Sequence, residues 1–169
     1  MDIVIRKARN GDEIGIARMI RTALRRKAWP YTAMIKYPRK KFEQLKKMLA
    51  SKNENRVLFV AEDTASKTIA GDSNYSFQKG SRIRHRVDVG WRVHPDYMNK
   101  GIGTRLLNAV LEDAKKNGYK RAEAEVAVEN KASLKLAKKC GLKIEGRKRK
   151  GILLDDGRMI DTYEFGKPL

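Results

Sequence analysis

Apolar and polar positions alternate along this chain with two periods, one typical of strands and one typical of helices. A two-residue period runs from Val87 to Val93, and apolar residues then recur at helical spacing from Ile102 to Ala114. The two segments are joined by the turn Gly101-Ile102-Gly103, and the helical pattern ends at the common stop signal Asn117-Gly118. The centre of the chain is therefore predicted to be a strand, a tight turn and a helix.

Segments on either side follow the same two periods. Strands are predicted at Ile3–Lys7, Arg56–Glu62, Thr68–Phe77, Arg121–Val128 and Met159–Phe165, and helices at Asp12–Arg25, Pro38–Ala50 and after Asn130. The predicted apolar stripe of the first helix consists of Ile14, Ala17, Ile20, Ala23 and Leu24. This order of elements favours an α/β (α+β) fold in which a mixed sheet is covered by helices.

The Gly-x-Gly turn has the composition of an anion site. Gly101 and Gly103 have no side chain that would block a ligand, so backbone N–H groups at the positive end of the helix can converge on a phosphate. The turn lacks both the Gly-Lys-Ser/Thr of a P-loop and the third glycine of a dinucleotide fingerprint. Taken alone, the two glycines are equally compatible with a simple turn between a strand and a helix.

A second motif lies downstream, where Asn130, Ser133 and Leu136 recur every three residues before Gly141-Leu142. Together with the Val-x-Pro and Gly-x-Gly of the first block, this pattern resembles the acetyl-CoA-binding half of the GNAT superfamily of N-acetyltransferases. The resemblance is clear over Val87 to Leu142, and the layout is nearest to that of the ribosomal-protein N-terminal acetyltransferases. It implies a single-domain GNAT-like fold with a mixed, mostly antiparallel sheet of about six to seven strands and about four helices.

The resemblance also implies acetyl-CoA as cosubstrate and direct attack of an amine on the thioester. In the superfamily, backbone N–H groups near the end of the fourth strand face the acetyl carbonyl, and Val93 best matches that position. The cofactor-binding residues implied are Trp91, Arg92, Val93, Met98, Asn99, Lys100, Gly101, Ile102, Gly103, Thr104 and Asn130. Asn130 is also expected to cap its helix by accepting a backbone N–H near Ser133.

Acetyl transfer needs a neutral amine, because an ammonium group has no lone pair and a lysine-like amine has a pKa of about 10.4. Glu125 is the candidate general base, since it stands five residues before Asn130, where the ribosomal-protein acetyltransferases carry a glutamate. Glu125 also alternates with Arg121 and Glu123, so an ion-paired row is the alternative interpretation. Asp88 and Glu123 are weaker candidates for the base, and proton transfer through water needs none of them.

Two positions depart from the pattern of the superfamily. Ala137 stands where many members carry a tyrosine that protonates the leaving thiolate, and Met98 stands where Arg or Gln commonly begins the phosphate loop. A thiol has a pKa of about 8.5, so its thiolate can leave without a strong acid. Tyr97 or Tyr163 would be the substitutes for the missing proton donor.

Length and composition give the expectations for domain number, membrane partners, location and metal binding. The 169 residues predict one GNAT-like domain over residues 1–169, with a chain long enough for a sizeable core. No apolar run reaches membrane-spanning length and no signal peptide is apparent, so we expect no membrane partner. Cys140 is the single cysteine and cannot form an internal disulfide, which favours a cytoplasmic location, and it is expected to be a packed thiol. One cysteine with two histidines argues against a metal site. A homodimer is compatible with these features.

The charge of the chain is unusual. Its 39 Lys and Arg residues outnumber 20 Asp and Glu residues, which gives a net charge of +19. Two basic clusters could contact nucleic acid: Arg25 to Lys41, which includes Trp29, Tyr31 and Tyr37, and the run Arg147-Lys148-Arg149-Lys150. The alternative is that Trp29 and Tyr37 only pack the loop between the first two helices.

Two functions follow from these features. The first is an N-acetyltransferase whose acceptor is an amine of a protein, an aminoacyl group linked to tRNA or a small molecule. Free polyamines are disfavoured as acceptors, because a strongly positive surface repels them. The second is a non-catalytic module that senses acetyl-CoA and binds nucleic acid through its basic surface.

Overall fold

The computed structural model describes residues 1–32, 36–50, 55–77 and 79–169. In this part of the chain the strands are β1 (Ile3–Lys7), β2 (Arg56–Asp63), β3 (Thr68–Phe77), β4 (Arg86–Val93), β5 (Arg121–Ala127), β6 (Lys143–Leu153) and β7 (Met159–Pro168). The helices are α1 (Asp12–Arg25), α2 (Arg39–Ala50), α3 (Ile102–Lys116) and α4 (Lys131–Lys139), with a short 3-10 helix at Pro95–Tyr97. Residues 33–35, in the loop that belongs to the first basic cluster, lie outside the described residues.

The strands form one sheet in the order β1-β2-β3-β4-β5-β7-β6. Every neighbouring pair is antiparallel except β4 and β5, which are parallel. The predicted fold class is confirmed: the described residues form a mixed, mostly antiparallel sheet of seven strands with four α-helices.

The helices cover the two faces of the sheet in pairs. On one face α1 and α2 pack over β2 and β3, with Ile16 and Met19 of α1 buried against Leu58 and Val60. On the other face α3 and α4 share a larger core with the inward side chains of β3, β4, β5 and β7. The helices α1 and α2 therefore do not cover β5, β7 and β6 on their face of the sheet.

The predicted bounds of α1 are confirmed, but its predicted apolar stripe is partly wrong. Ile14 is 57% exposed, whereas Ile16 and Met19 are buried. The physical reason is a close approach at Gly15, where an added Cβ would lie 2.6 Å from Cγ1 of Ile69. Contact at that glycine turns the buried face of α1 toward Ile16, Met19 and their helical neighbours, and leaves Ile14 on the outer face.

Strand β6 has no counterpart among the predicted elements. Its residues are largely exposed and do not alternate between apolar and polar side chains, so it lacks the usual signature of a strand. It forms by pairing with β7 at the edge of the sheet, and an ion pair of 2.8 Å between Arg147 and Asp161 joins the two strands. A basic edge strand of this kind also discourages pairing with other chains.

Two further expectations concern the packing of Cys140 and the length of the apolar helices. Cys140 is buried, and its Sγ lies 3.9 Å from the carbonyl oxygen of Thr104, so the expected packed thiol is confirmed. Burial also raises the pKa of this thiol, which keeps it protonated. Among the helices that the structure describes, none is long and apolar enough to cross a membrane.

Candidate active site

The parallel pairing of β4 with β5 stops early. Only three residue pairs are in register, and the last is Asp88 with Glu123. Beyond that pair β4 continues along β3 to Val93, while β5 continues along β7 to Ala127. The two strands diverge, and a gap opens between them in the middle of the sheet.

Backbone groups of β4 face this gap. The N–H of His94 donates to the carbonyl of Ala70 in β3 at 2.8 Å, and Arg92 is in register with Asp72 on the same side. Because successive peptide groups of a strand point to opposite sides, the N–H and C=O of Trp91 and Val93 point toward β5. Trp91 and Val93 therefore present backbone donors to the gap, whereas the backbone of Arg92 is engaged with β3.

The turn after β4 leaves the start of α3 without a side-chain cap. Gly101 is the N-cap residue with a φ of 74°, and no side chain accepts a capping hydrogen bond there. The first intrahelical bond runs from the N–H of Arg105 to the carbonyl of Gly101, so the N–H groups of Ile102, Gly103 and Thr104 precede it. A Cβ at Gly101 would meet nothing within 4 Å. This combination of free donors and open space fits an anion.

Gly103 has a different role in the structure from that of Gly101. An added Cβ would lie 2.5 Å from Cδ1 of Leu136 and 3.4 Å from Cγ2 of Val93. The absence of a side chain therefore allows α3 to pack closely against α4 and the end of β4. Gly103 therefore contributes to the site in two ways, through this close packing and through its free N–H at the start of α3.

The remaining residues of the predicted phosphate turn surround the start of α3. Met98 follows the 3-10 helix in an extended conformation, and Asn99 adopts a positive φ of 60°. Lys100 donates from Nζ to the carbonyl of Asp96 at 3.0 Å and lies over the ring of Tyr97. These contacts hold the turn in one shape.

Asn130 caps α4 as predicted. Its Oδ1 accepts the N–H of Ser133 at 3.1 Å. Since α4 begins directly after the strand that borders the gap, the cap fixes where this helix starts relative to β5.

Glu125 lies on the face of β5 opposite α3. Its neighbours Ala124 and Val126 belong to the core under α3 and α4, so the side chain of Glu125 points to the other face. Thr162 donates to Glu125 Oε1 at 2.6 Å, and Lys148 donates to Oε2 at 2.7 Å. Partial burial raises the pKa of this carboxyl, but the bonds from Lys148 and Thr162 outweigh burial and lower it overall.

The other two carboxylates considered for the base lie at the closed end of the gap. Asp88 and Glu123 are the last pair in register between β4 and β5. Glu123 is held by Arg86 at 3.2 Å and by Arg121 at 2.7 Å. Burial and the charge of Glu123 raise the pKa of Asp88. The ion-paired row is therefore present, and it extends along β5 from Arg121 to Glu125.

Trp29 links the loop after α1 to the open end of the gap. Its Nε1 donates to the carbonyl of Val93 at 3.0 Å, and its ring lies 6.0 Å from the guanidinium of Arg92. Arg92 in turn forms an ion pair with the buried Asp72, and its Nε donates to Oδ1 at 2.8 Å. Burial lowers the pKa of Arg92, yet the attraction of Asp72 raises it overall.

Sequence reasoning did not assign Trp29 a role at the site. The expectation that Trp29 packs the loop is correct as far as it goes, but its bond to Val93 spans 64 positions in sequence. The same holds for Lys148 and Thr162, which reach Glu125 from neighbouring strands. An exposed basic run and a strand threonine carry no local pattern that would reveal these contacts.

A cleft of about 310 Å³ lies beside Trp29, and we call it the loop cleft. One side is formed by the end of α1 and the loop that follows, and the other by the turn between β6 and β7. It carries charges of both signs, from Lys27 and Arg158 and from Asp155 and Asp156. This cleft has room for a small molecule.

The two tyrosines considered as proton donors lie in different surroundings. The hydroxyl of Tyr97 donates to Asp63 Oδ2 at 2.9 Å and lies 3.3 Å from the hydroxyl of Ser66. Tyr163 is in register with Val126 and packs on the core under α3 and α4. Ala137 is fully buried in the same core. Among the described residues there is also no group of three or more His, Cys, Asp or Glu side chains that could hold a metal ion.

Comparison with known proteins matches this arrangement. A family model described as the acetyltransferase (GNAT) family matches residues 21–142. An uncharacterized N-acetyltransferase of Methanocaldococcus jannaschii is 45% identical over 49 residues, which cover 29% of this chain and 22% of that protein. The L-amino acid N-acetyltransferase AaaT of Escherichia coli is 29% identical over 101 residues, 59% of this chain and 61% of that protein. The chain thus spans less than two thirds of either relative.

Solved structures share the fold over nearly the whole chain. An acetyltransferase of the GNAT family from Streptococcus pneumoniae has a TM-score of 0.84 at 26% identity, covering 99% of this chain and 100% of that one. A GNAT superfamily phosphinothricin acetyltransferase from Sinorhizobium meliloti, in complex with acetyl-CoA, has a TM-score of 0.85 at 21% identity, covering 100% and 89%.

Proposed function

The chain belongs to the GNAT family of acetyltransferases, and from this premise we propose that it transfers the acetyl group of acetyl-CoA to the amine of a small zwitterion such as an amino acid. The observation that carries the proposal is the gap between β4 and β5, which begins after Asp88 and Glu123. Backbone donors of β4 border the gap, and the uncapped start of α3 follows the end of that strand. Glu125 lies on the face of β5 that is opposite α3.

The residues present fit acetyl-CoA. The N–H groups of the first turn of α3 precede the first intrahelical bond, and the space beside Gly101 is open. A pyrophosphate there would accept these N–H groups at the positive end of the helix dipole. The residues that would hold the coenzyme are Met98–Thr104 in the turn and Asn130 at the start of α4.

Backbone groups of β4 would stabilise the oxyanion. Acetyl-CoA supplies the acetyl group as a thioester, whose carbonyl oxygen gains negative charge during attack by an amine. The N–H of Val93 would donate to that oxygen, with the N–H of Trp91 two residues away on the same side. Because pairing with β3 holds this strand in place, the donors are oriented before the reaction begins.

Glu125 would take the proton that the amine loses. Its lowered pKa keeps the carboxylate ionised at neutral pH, and Thr162 fixes one of its oxygens. The acceptor ammonium would approach Oε2, where Lys148 now donates. Glu125 would first take one proton from the ammonium and release it to solvent, which leaves a neutral amine. The amine nitrogen then forms the new C–N bond, the C–S bond breaks, and the second proton of the nitrogen passes through Glu125 to solvent. The thiolate leaves without an acid side chain, which accommodates Ala137.

The loop cleft supports a small acceptor. Its volume of about 310 Å³ suits a molecule of amino-acid size better than a folded protein segment. Lys27 would pair with a carboxylate and Asp155 would provide negative charge for an ammonium, whereas Arg158 and Asp156 pair with each other at 2.9 Å. The name of the relative AaaT, an L-amino acid N-acetyltransferase, supports the same class of acceptor.

The first test is binding and transfer with the purified protein. Calorimetric titration with acetyl-CoA should give micromolar binding, and titration with NAD should give none. An assay of thiol release should then show faster turnover with at least one L-amino acid than with spermidine. Salt-dependent RNA binding without acetyl transfer to any amine would instead favour the non-catalytic module.

The role of Glu125 is tested by Glu125→Gln. We expect turnover to fall about 100-fold, at the low end of typical general-base contributions, with unchanged affinity for acetyl-CoA. The matched control is Glu123→Gln, two residues away on the same face of β5, which should keep most of the activity. Full activity of Glu125→Gln would show that Glu125 is not the general base and would leave Asp88 or water as the proton acceptor.

A further inference from the structure

Much of the excess positive charge lies in one part of the chain, most of which is outside the site described above. Between Arg18 and Lys47 there are eleven Lys and Arg residues and one acidic residue, Glu43, so this segment carries +10 of the total +19. The segment comprises most of α1, the following loop and most of α2.

Within this segment three arginines form a row on α1. Arg18, Arg21 and Arg25 are all exposed, and their spacing of three and four residues places them on one face of the helix. At 1.5 Å per residue the row is about 10 Å long. It lines an open groove of about 580 Å³, whose described lining is Ile14, Arg18, Arg21, Thr22 and Arg25. We call this surface the arginine row.

The arginine row has no neutralising partner among the described residues. None of its three guanidinium groups forms an ion pair there, although Arg21 lies 5.9 Å from the ring centroid of Tyr37. The neighbouring Arg26, in contrast, is paired with Asp96 at 2.6 Å. Like charges at this spacing repel each other and destabilise a helix, so folding alone does not explain the row.

The acetyl-CoA site does not account for the row either. The outer face of α1 points away from the sheet, because Ile16, Met19 and Ile20 point into the core. The start of α3, where the coenzyme phosphates would bind, lies on the other face of that sheet. The arginine row is therefore free to bind a second, separate polyanion.

We propose that the arginine row binds the phosphodiester backbone of single-stranded RNA. Guanidinium groups form paired hydrogen bonds with phosphate oxygens, and three in a row can follow successive phosphates. Partly exposed Tyr31, shortly after the end of α1, offers a ring on which an unpaired base can stack. A membrane surface fits less well, because Ile14 is the single large apolar side chain lining the described groove.

The test compares two variants that remove equal charge. The first carries Arg18→Gln, Arg21→Gln and Arg25→Gln, and the control carries Lys115→Gln, Lys116→Gln and Lys120→Gln, three exposed lysines at and beyond the end of α3. Binding to a labelled mixed-sequence RNA of about 16 nucleotides is measured by fluorescence anisotropy over a series of salt concentrations. Acetyl-CoA affinity and the thermal midpoint are measured in parallel to show that each variant is folded.

We expect the first variant to lose affinity for RNA by about tenfold or more at low salt, and its slope of log K against log salt to fall by about two, from about 0.7 per phosphate contact. The control should bind RNA within about twofold of the original protein, and both variants should bind acetyl-CoA normally. If the first variant does not fold, Arg18→Gln and Arg25→Gln alone should each lower the slope by about 0.7.

Three results would overturn the proposal. Equal losses in both variants would mean that total charge, and not the row, attracts RNA. Equally tight and equally sensitive binding of duplex DNA would rule out a preference for single-stranded RNA. Binding to vesicles of anionic phospholipid without binding to RNA would make the row a membrane contact.

Discussion

At the scale of single residues, the indole of Trp29 joins two parts of the site that are far apart in sequence. It comes from the loop after α1 and donates to the carbonyl of Val93 at the end of β4. Val93 also bears the backbone N–H that we propose as the donor to the oxyanion. Trp29 is therefore a positioning residue, since it acts on the reaction through the strand and not by contact with the reacting atoms.

Replacing Trp29 by phenylalanine tests this role. The ring is largely kept, while the donor to Val93 is lost, at a cost of about 1 kcal/mol. We expect kcat to fall about fivefold, which corresponds to that energy, with acetyl-CoA affinity within about twofold. Tyr119→Phe, which removes a hydroxyl from an aromatic residue outside the site, is the control and should leave kcat unchanged. A loss of cofactor affinity with unchanged kcat would contradict the assignment.

The ion pair between Lys148 and Glu125 predicts a change in pH dependence. Lys148 lowers the pKa of Glu125, so removing its charge in Lys148→Met should raise that pKa. Because the ionised carboxylate is the proposed base, the acidic limb of the profile of kcat/KM should move to higher pH. Lys143→Met removes a lysine from the same strand and should leave the limb in place. An acidic limb that stays put in both variants would separate Lys148 from the base.

At the scale of elements, Gly103 controls how closely α3 approaches α4. A side chain at this position would meet Leu136, so we expect Gly103→Val to lower the free energy of unfolding by about 2 kcal/mol through overpacking. The cost should be smaller in a chain that also carries Leu136→Ala, because the shorter side chain makes room. Urea unfolding of the four proteins measures this coupling. Additive costs would show that Leu136 is not the residue in the way.

The elements around the site could be predicted where the pattern is local. The strand ending at Val93, the glycine turn and α3 follow from periodicity and stop signals, and the cap at Asn130 from its position before a helix. The outer position of Ile14 could not be predicted, because it depends on contact between Gly15 and Ile69 of another element. Strand β6 was missed for the same reason: it is stabilised by β7 and by ion pairs, and its own residues do not alternate.

The site itself could be predicted only in part. Its sequence motifs indicate where a coenzyme would lie, since the turn and the helix start are continuous in sequence. Trp29, Thr162 and Lys148 come from three separate segments, and their contacts depend on the order of strands in the sheet. The order β5-β7-β6 brings Lys148 to Glu125, and no local pattern encodes it.

At the scale of the whole molecule, the predicted basic run of β6 differs in its ion pairs from the arginine row, which shares only Arg25 with the other predicted basic cluster. In the run of β6, Arg147 is paired with Asp161 and Lys148 with Glu125, so part of its charge is neutralised within the sheet. The arginines on the outer face of α1 lack such partners among the described residues. The distribution of acidic residues, and not the density of basic ones, therefore distinguishes the surface proposed to bind a polyanion.

This distribution predicts a mutation that stabilises the protein. Replacing Arg18 by glutamine removes its repulsion with Arg21 and keeps the contact of Arg21 with Tyr37, so the free energy of unfolding should rise by about 0.2 to 0.5 kcal/mol at low salt. The gain should shrink in about 0.5 M NaCl, where the charges are screened. Thermal unfolding at the two salt concentrations measures both effects. A loss of stability at low salt would mean that Arg18 supports the fold.

The early end of pairing between β4 and β5 has a consequence for hydrogen exchange. The amides of Trp91 and Val93 point into the gap, while those of Arg92 and His94 are bonded to β3. In the protein without coenzyme, the first pair should exchange with deuterium much faster than the second, although all four belong to one short stretch of backbone. Acetyl-CoA in the gap should slow the first pair at least about tenfold and leave the second nearly unchanged. Alternate amides along a single strand would then report, one by one, whether the coenzyme is bound.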